Sequence, residues 1–275
     1  MKNKLLTAFL LIAFSQTNAQ YYYSDIVGTK QTNQLYKLLL GFQYKRISAT
    51  SYEGNEPSKD FVLEQNITND GKQVITRSAT IGSRESFFIS NYQNNRISKT
   101  VDSGNNAINT VLYEYDKTGK VVSINSTSKD FDGTFTNTEQ HIWMYNDKGL
   151  PEKMLKIKNQ TDTTSVAFIY DEEDNVAEER WSRNKRRTET YYYYYNPKKQ
   201  LTDIVRYNRK AKTMLPDYMF EYDNRGHITQ MTQTQNGTAN YLTWKYVYNE
   251  NGMKEKEYVF NKQKELLGRI EYKYQ

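Results

Sequence analysis

Tyr113-Glu114-Tyr115-Asp116-Lys117-Thr118-Gly119 sets a pattern that returns down the chain: an aromatic, any residue, Tyr, Asp or Asn, two more residues, then Gly. The tyrosine anchor recurs at Tyr115, Tyr145, Tyr170, Tyr195, Tyr222, Tyr248 and Tyr274, with gaps of 30, 25, 25, 27, 26 and 26 residues. Two residues before each anchor stands another ring: Tyr113, Trp143, Phe168, Tyr193, Phe220, Tyr246 and Tyr272. Asp116, Asn146, Asp171, Asn196, Asp223 and Asn249 follow the first six anchors, and Gly119, Gly149, Gly226 and Gly252 stand four after theirs. Asp174 and Lys199 occupy the glycine position in the two exceptions. A repeat at a nearly fixed period decides the architecture before any other argument.

Side chains alternate along a strand, so aromatic-x-Tyr puts both rings on one face. Asp or Asn then opens a turn by bonding its own backbone two residues on. Glycine supplies the positive φ at which such a turn closes. A return strand follows, as at 121–126 and 201–207. Thirteen or fourteen residues after the anchors come Asn159, Asn184, Asn208, Asn236 and Asn261 in polar runs, the turns at the other end of each hairpin. Upstream, 42–98 repeats the pattern weakly: Asn69-Asp70-Gly71 is a strong turn signal and 91–95 a degenerate copy.

The expected fold is therefore all-β, a long antiparallel meander of about 16–18 short strands. Twist prevents so wide a sheet from staying open and flat, so it rolls into a barrel-like, porin-shaped but water-soluble form with the rings inward. An elongated solenoid or two-layer wrap is the alternative. Residues 32–40 read as a short helix stopped by Gly41, and 20–41 as a cap over one open end of the repeat domain 42–275.

The first 19 residues read as a signal peptide: Lys2 and Lys4, an apolar core at 5–14, then Thr17-Asn18-Ala19 before a cut ahead of Gln20. A retained anchor is the alternative. With no cysteine, the chain has neither disulfides nor thiolate chemistry nor a lipid-modified Cys. Mean hydropathy is −0.91, yet 25 tyrosines supply apolar area, so this polar chain folds.

The Tyr-x-Tyr-Asp-x-x-Gly unit resembles the YD repeat of RHS-type exported proteins, well over 113–274 and poorly over 42–98. The chain looks most like the small exported YD-repeat proteins of Bacteroidetes, a likeness its Asn-Ala-Gln signal end shares. That resemblance implies a β-structure wrapping a space, for some members a barrel or porin-like fold, and an association with carbohydrate. No appended toxin segment is present, and the likeness assigns no activity.

Chemistry is sparse. His141 shares strand parity with Trp143 and Tyr145, and His227 follows a turn glycine, so neither reads as catalytic or metal-binding. The acid runs 171–174 and 130–133 could offer hard oxygens to Ca²⁺, but they lack EF-hand spacing and read as solvated turns. No catalytic residue, metal site or cofactor is assigned. A hydrolase with an unrecognised carboxylate pair stays as an alternative.

Charge is more informative. From Arg180 to Lys212 there are eleven Lys or Arg against two acids, in a chain whose net charge is +6. Registration puts Arg183, Lys185, Arg186 and Arg187 on one Asn turn and Arg209, Lys210 and Lys212 on the next. Asn261-Lys262-Gln263-Lys264 is a later one. The Asp turns, with Asp116, Asp147, the acid run from Asp171 to Asp174, Asp223 and Glu250, take the opposite rim, where Lys198 and Lys199 interrupt the polarity. A basic rim beside aromatic strands suits an anionic polysaccharide or lipopolysaccharide, by charge attraction and stacking, without sequence-specific nucleic-acid recognition. The expectation is an exported, non-enzymatic binding or structural protein of the periplasm or cell surface. An outer-membrane barrel is the alternative, against which polar residues on both faces of 178–180, 229–232 and 254–257 argue.

Overall fold

The computed structural model describes residues 20–59, 61–80, 84–104, 107–234 and 240–275. The export signal expected at 1–19 and the turn residue Asn236 lie outside them. A wide-wound helical turn, Tyr22–Val27, runs into helix α1 (Gly28–Gly41). Strands β1 (Arg46–Glu53), β2 (Glu56–Pro57), β3 (Val62–Ile67), β4 (Gln73–Ala79), β5 (Ser86–Gln93) and β6 (Arg96–Ser103) follow. The regular array is β7 (Ala107–Tyr115), β8 (Val121–Asp130), β9 (Thr136–Tyr145), β10 (Pro151–Lys158), β11 (Asp162–Tyr170), β12 (Val176–Arg183) and β13 (Arg186–Tyr195). It continues through β14 (Leu201–Asn208), β15 (Thr213–Tyr222), β16 (Ile228–Thr234), β17 (Tyr241–Tyr248), β18 (Lys254–Phe260) and β19 (Leu266–Tyr274).

Each strand from β3 to β19 pairs antiparallel with the next. The sheet then closes: β19 pairs with β1 from Ile47↔Tyr274 to Tyr52↔Arg269, and β1 pairs with β3 from Arg46↔Asn66 to Ala49↔Leu63. The two-residue β2 is a flap on the end of β1, so 18 of the 19 strands form the wall of a closed barrel. Closure satisfies the edge hydrogen bonds that an open sheet of this width would expose.

The ring face is inside. Tyr113, Trp143, Phe168, Tyr193, Phe220 and Tyr272 are buried, while Glu114, Ile169, Tyr194, Glu221 and Lys273, which follow five of them, are exposed on the outer wall, and Met144 after Trp143 is half-buried. The anchors are half-buried and share one hydrogen bond. Tyr145 Oη donates to Val121 O (2.6 Å), Tyr195 to Val176 O (3.1 Å), Tyr222 to Leu201 O (2.7 Å), Tyr248 to Ile228 O (2.9 Å) and Tyr274 to Lys254 O (2.7 Å). Tyr115 and Tyr170 do the same to Ile97 O and Pro151 O. Each hydroxyl thus satisfies a carbonyl at the start of the preceding strand, which explains tyrosine rather than phenylalanine at the anchor. A bulge accompanies Tyr115, Tyr145, Tyr170, Tyr195, Tyr222 and Tyr248, adding the local twist that curls the wall.

The turns follow the expected chemistry. Asp116 Oδ1 accepts from Thr118 N and Lys120 N, and Asp223 Oδ1 from Arg225 N and His227 N. Asn196 and Asn249 repeat the arrangement. Gly119, Gly149, Gly226 and Gly252 have φ between +74° and +91°, and the exceptions Asp174 (+61°) and Lys199 (+59°) keep the same left-handed conformation. Glycine is also needed for space. A Cβ on Gly149 would strike the Lys120 side chain, and one on Gly119 the Arg96 guanidinium. Those cations lie over the next anchor: Lys120 Nζ is 5.3 Å from the Tyr145 ring centre and Arg96 Cζ 5.5 Å from that of Tyr115, while His227 stacks on Tyr248 at 4.6 Å.

The N-terminal segment does more than lie across an open end. Residues 20–27 enter the barrel and pack on the inner wall, while α1 covers the Asp-turn end. There Tyr36 Oη donates to Gly71 O, Asn33 Oδ1 accepts Ile97 N–H, and Lys30, Gln34 and Lys37 stay exposed. Tyr22 meets Phe168 and Tyr193, Tyr23 meets Tyr218 and Phe220, and Tyr36 stacks on Tyr92 at 3.6 Å. A closed sheet of 18 strands encloses more room than its own side chains fill, so an inserted segment completes the core. Helix α1 begins at Gly28, earlier than the expected 32, because this packing supplies what the local propensity of Gly28 and Thr29 does not.

Candidate functional site: the plugged lumen and the basic rim

The two rims differ in chemistry. At the Asp-turn rim, neighbouring turns are stitched together. Lys148 Nζ reaches Asp174 Oδ1 at 2.9 Å, Lys199 Nζ donates to Glu173 O at 3.0 Å, and Arg225 Nη2 to Glu250 O at 2.9 Å. Of the two lysines that interrupt the polarity of this rim, Lys199 is therefore engaged by the acidic turn beside it, while Lys198 is exposed.

At the opposite rim, the β12–β13 turn carries Arg183, Lys185, Arg186 and Arg187, and the β14–β15 turn carries Arg209, Lys210 and Lys212; all seven are exposed. The two turns are adjacent, because β13 pairs with β14. Asn184 and Lys185 take φ of +50° and +62°, so a tight two-residue turn holds the first cluster. Arg209 Nη2 donates to Thr188 O at 3.4 Å across the two turns, and Arg183 pairs with Asp162 at 2.8 Å. The opposing charge is thus small, and exposed pairs of this kind contribute little. The sequence-expected site residues come together on one surface.

The lumen holds a second group that registration did not find. Asp25 Oδ2 lies 2.6 Å from His141 Nδ1 and accepts Trp143 Nε1–H at 3.1 Å. His141 Nε2 lies 3.0 Å from Glu139 Oε1, whose other oxygen meets Lys156 Nζ at 2.9 Å; Lys156 then donates to Tyr21 Oη at 2.6 Å. Burial lowers the His141 pKa, but Asp25 and Glu139 outweigh it and raise it to about 9. Burial raises that of Glu139, but His141 and Lys156 outweigh it and hold the carboxyl at about 2. A histidine kept protonated between two carboxylates is a fixed cation at neutral pH and accepts no proton, which disfavours a general-base role.

Glu179 is fully buried and accepts four donors: Tyr21 N (2.9 Å), Tyr22 N (3.0 Å), Trp181 Nε1 (2.7 Å) and Tyr193 Oη (2.6 Å). Burial raises its pKa and the donors pull it back. Gln20 Nε2 donates to Asp217 Oδ2 at 2.7 Å, and Asp217 pairs with Arg206 at 2.9 Å. Strand parity could have placed Glu179 inside, opposite Phe168, but nothing local names its partners in the plug. These groups tie the inserted segment to the wall.

Among the described residues, no three His, Cys, Asp or Glu side chains gather as a metal site. The acid runs weighed for Ca²⁺ serve their own turns: Asp171 Oδ1 accepts Glu173 N and Asn175 N, and Asp130 bonds Thr134 and Phe135. A cleft of about 430 Å³ between the turns at 196–200 and 220–224 carries two acids, Glu221 and Asp223. Asp223 is spent on the His227 ring as well as on its turn amides. Burial raises the Asp223 pKa, but its bonds to His227 and Arg225 outweigh it and lower it, the opposite of what a proton donor in glycoside hydrolysis needs.

No protein-family model matches the chain, and no curated protein matches it. Its fold is similar to solved structures at low identity. A porin-like protein from Bacteroides uniformis aligns over 84% of this chain and 98% of its own, at 10% identity and a TM-score of 0.39. A porin-like protein from Bacteroides vulgatus aligns over 83% and 97%, at 13% identity and a TM-score of 0.32. The TcdB2-TccC3-Cdc42 structure aligns over 77% of this chain at 11% identity and a TM-score of 0.32, and this chain spans only 15% of that one. The architecture is that of a closed antiparallel β-barrel filled by its own N-terminal segment.

Proposed function

We propose that the chain is an exported, non-enzymatic barrel of the cell envelope that binds an anionic polysaccharide, or the anionic glycan of lipopolysaccharide, through its basic rim. The observation that carries this reading is the exposure of seven Arg and Lys side chains on two adjacent turns of one rim that hold no acid, whereas Lys148, Lys199 and Arg225 of the other rim lie against acidic turns. The outer wall supports a barrel bathed in water. Arg46–Glu64 (2.5 Å), Arg180–Glu178 (2.6 Å) and Arg269–Glu271 (3.4 Å) face outward along the strands. Charges facing lipid near a bilayer midplane would cost roughly 2–4 kcal/mol each. The paired rings of the repeat point inward, and the outer wall mixes apolar residues such as Ile169 and Val247 with these charges.

The test is retention of the full chain on an immobilised polyuronate. Binding at low salt should fall steeply as salt rises, and Arg186→Gln with Arg187→Gln should weaken it about tenfold. No retention at low salt, or unchanged retention of the double variant, rejects the reading.

A further inference from the structure

Among the described residues, the most exposed large apolar side chain is Phe135, at 59%, and Phe131 stands on the same β8–β9 turn at 49%. The turn is built rather than frayed. Phe135 N donates to Asp130 Oδ1 at 3.0 Å, Thr134 Oγ1 to Asp130 Oδ2 at 2.5 Å, and Gly133 N to Asp130 O at 3.2 Å, with Gly133 at φ +70°. A turn so held presents two apolar rings to water at a rim, which a chain selected only for solubility has no reason to do. Arg84 lies over the Phe131 ring at 5.5 Å, and exposed Lys129 stands at the base of the turn. Just below, Phe87 and Ile108 are exposed on the outer wall of β5 and β7, at the ends of those strands that belong to this rim. Following the rim in strand order, the β10–β11 turn with Asn159 and Gln160 comes next, then the two basic turns.

Apolar rings at a tip and cations on neighbouring tips of the same rim match the layered chemistry of an anionic bilayer surface. Phe has neither the hydroxyl of Tyr nor the N–H of Trp to offer a sugar, and Ile108 beside it is aliphatic. We propose that this rim docks end-on onto an anionic lipid surface, with Phe131 and Phe135 seated at the headgroup–acyl boundary and the basic turns on the phosphates. This goes beyond the polysaccharide reading. The basic turns serve both, whereas the phenylalanines serve only this one.

Co-sedimentation of the full chain with vesicles of phosphatidylglycerol and phosphatidylcholine tests it. The native chain should sediment with these vesicles at low salt and far less with phosphatidylcholine alone. Phe131→Ser with Phe135→Ser should lower partition about tenfold or more, leaving retention on immobilised polyuronate unchanged. Failure of the native chain to sediment with anionic vesicles at low salt, or equal sedimentation of the double-Ser variant, overturns the proposal. Sedimentation that needs both phenylalanines, in a chain that ignores polyuronate, upholds it and rejects the polysaccharide reading alone.

Discussion

Glu179 on β12 accepts the main-chain N–H of Tyr21 at 2.9 Å across 158 residues of sequence, and that of Tyr22 beside it. One buried carboxylate thus terminates the inserted segment and, through Trp181 and Tyr193, two elements of the wall. Glu179→Ala strands four donors in a dry interior. The expected loss is about 3 kcal/mol or more by urea denaturation, with faster proteolysis inside 20–41. Unchanged stability and unchanged cleavage would show that aromatic packing alone holds the plug.

A second carboxylate occupies the same repeat position. Glu257, three residues into β18 as Glu179 is into β12, accepts Tyr272 Oη at 3.3 Å. Where the next inward ring is Trp143, Phe168 or Phe220, this position holds Ile124, Met154 or Ile204. Tyr246, facing Met231, and Tyr113, facing Thr100, are the exceptions. Tyr272→Phe and Glu257→Met should each cost about 1–2 kcal/mol, and the double variant should recover most of it. A double-mutant cycle in urea measures this, and additive losses would refute the pairing.

The His141 cluster makes stability pH-dependent. Its folded pKa, about 9, is above the ordinary 6.5, so its contribution is complete below pH 6.5 and lost as pH rises through about 9. The folded Glu139 pKa, about 2, is below the ordinary 4.5, so its contribution is complete above pH 4.5 and lost as pH falls through about 2. Urea midpoints should be highest between pH 4.5 and 6.5 and fall on the alkaline side by an amount worth about 2–3 kcal/mol. His141→Asn should flatten the alkaline limb; an unaltered limb assigns the dependence elsewhere.

Turn glycines and their exceptions should respond oppositely. Gly149→Ala places a Cβ at φ +74° and against Lys120, and should cost about 1–2 kcal/mol. Lys199→Gly relieves a non-glycine φ of +59° and gives up only an exposed contact, and should be neutral or stabilising by up to about 1 kcal/mol. Thermal midpoints of the two variants decide. A stabilised Gly149→Ala would contradict the steric account.

Much of this structure was legible because a strand writes its burial with period two. Tyr113 and Tyr115 announce an inward face, Glu114 an outward one, and Asp116 with Gly119 a turn; each statement needs only neighbours a few residues away. The same logic put Arg183–Arg187 and Arg209–Lys212 on one rim, and His141 inward. The plug was not legible in that way. Tyr21-Tyr22-Tyr23 carries no periodicity that distinguishes a strand from a lumen filler, and the plug partners of Glu179 and the wall partners of Asp25 lie more than a hundred residues away. Asp130-Phe131-Asp132-Gly133 drew notice for its acids, yet Asp130 serves the turn, and the exposed rings are what the turn displays.

By itself the sequence determined the hairpin unit, the face on which the rings lie, the turn chemistry and the polarity of the rims, because all of these are local. The tertiary structure alone decided that β1 bridges β19 and β3, that 18 strands enclose a lumen wide enough to take residues 20–27, and which buried charges meet there. Those outcomes depend on twist accumulated around the whole wall and on the volume it leaves, which no single repeat encodes.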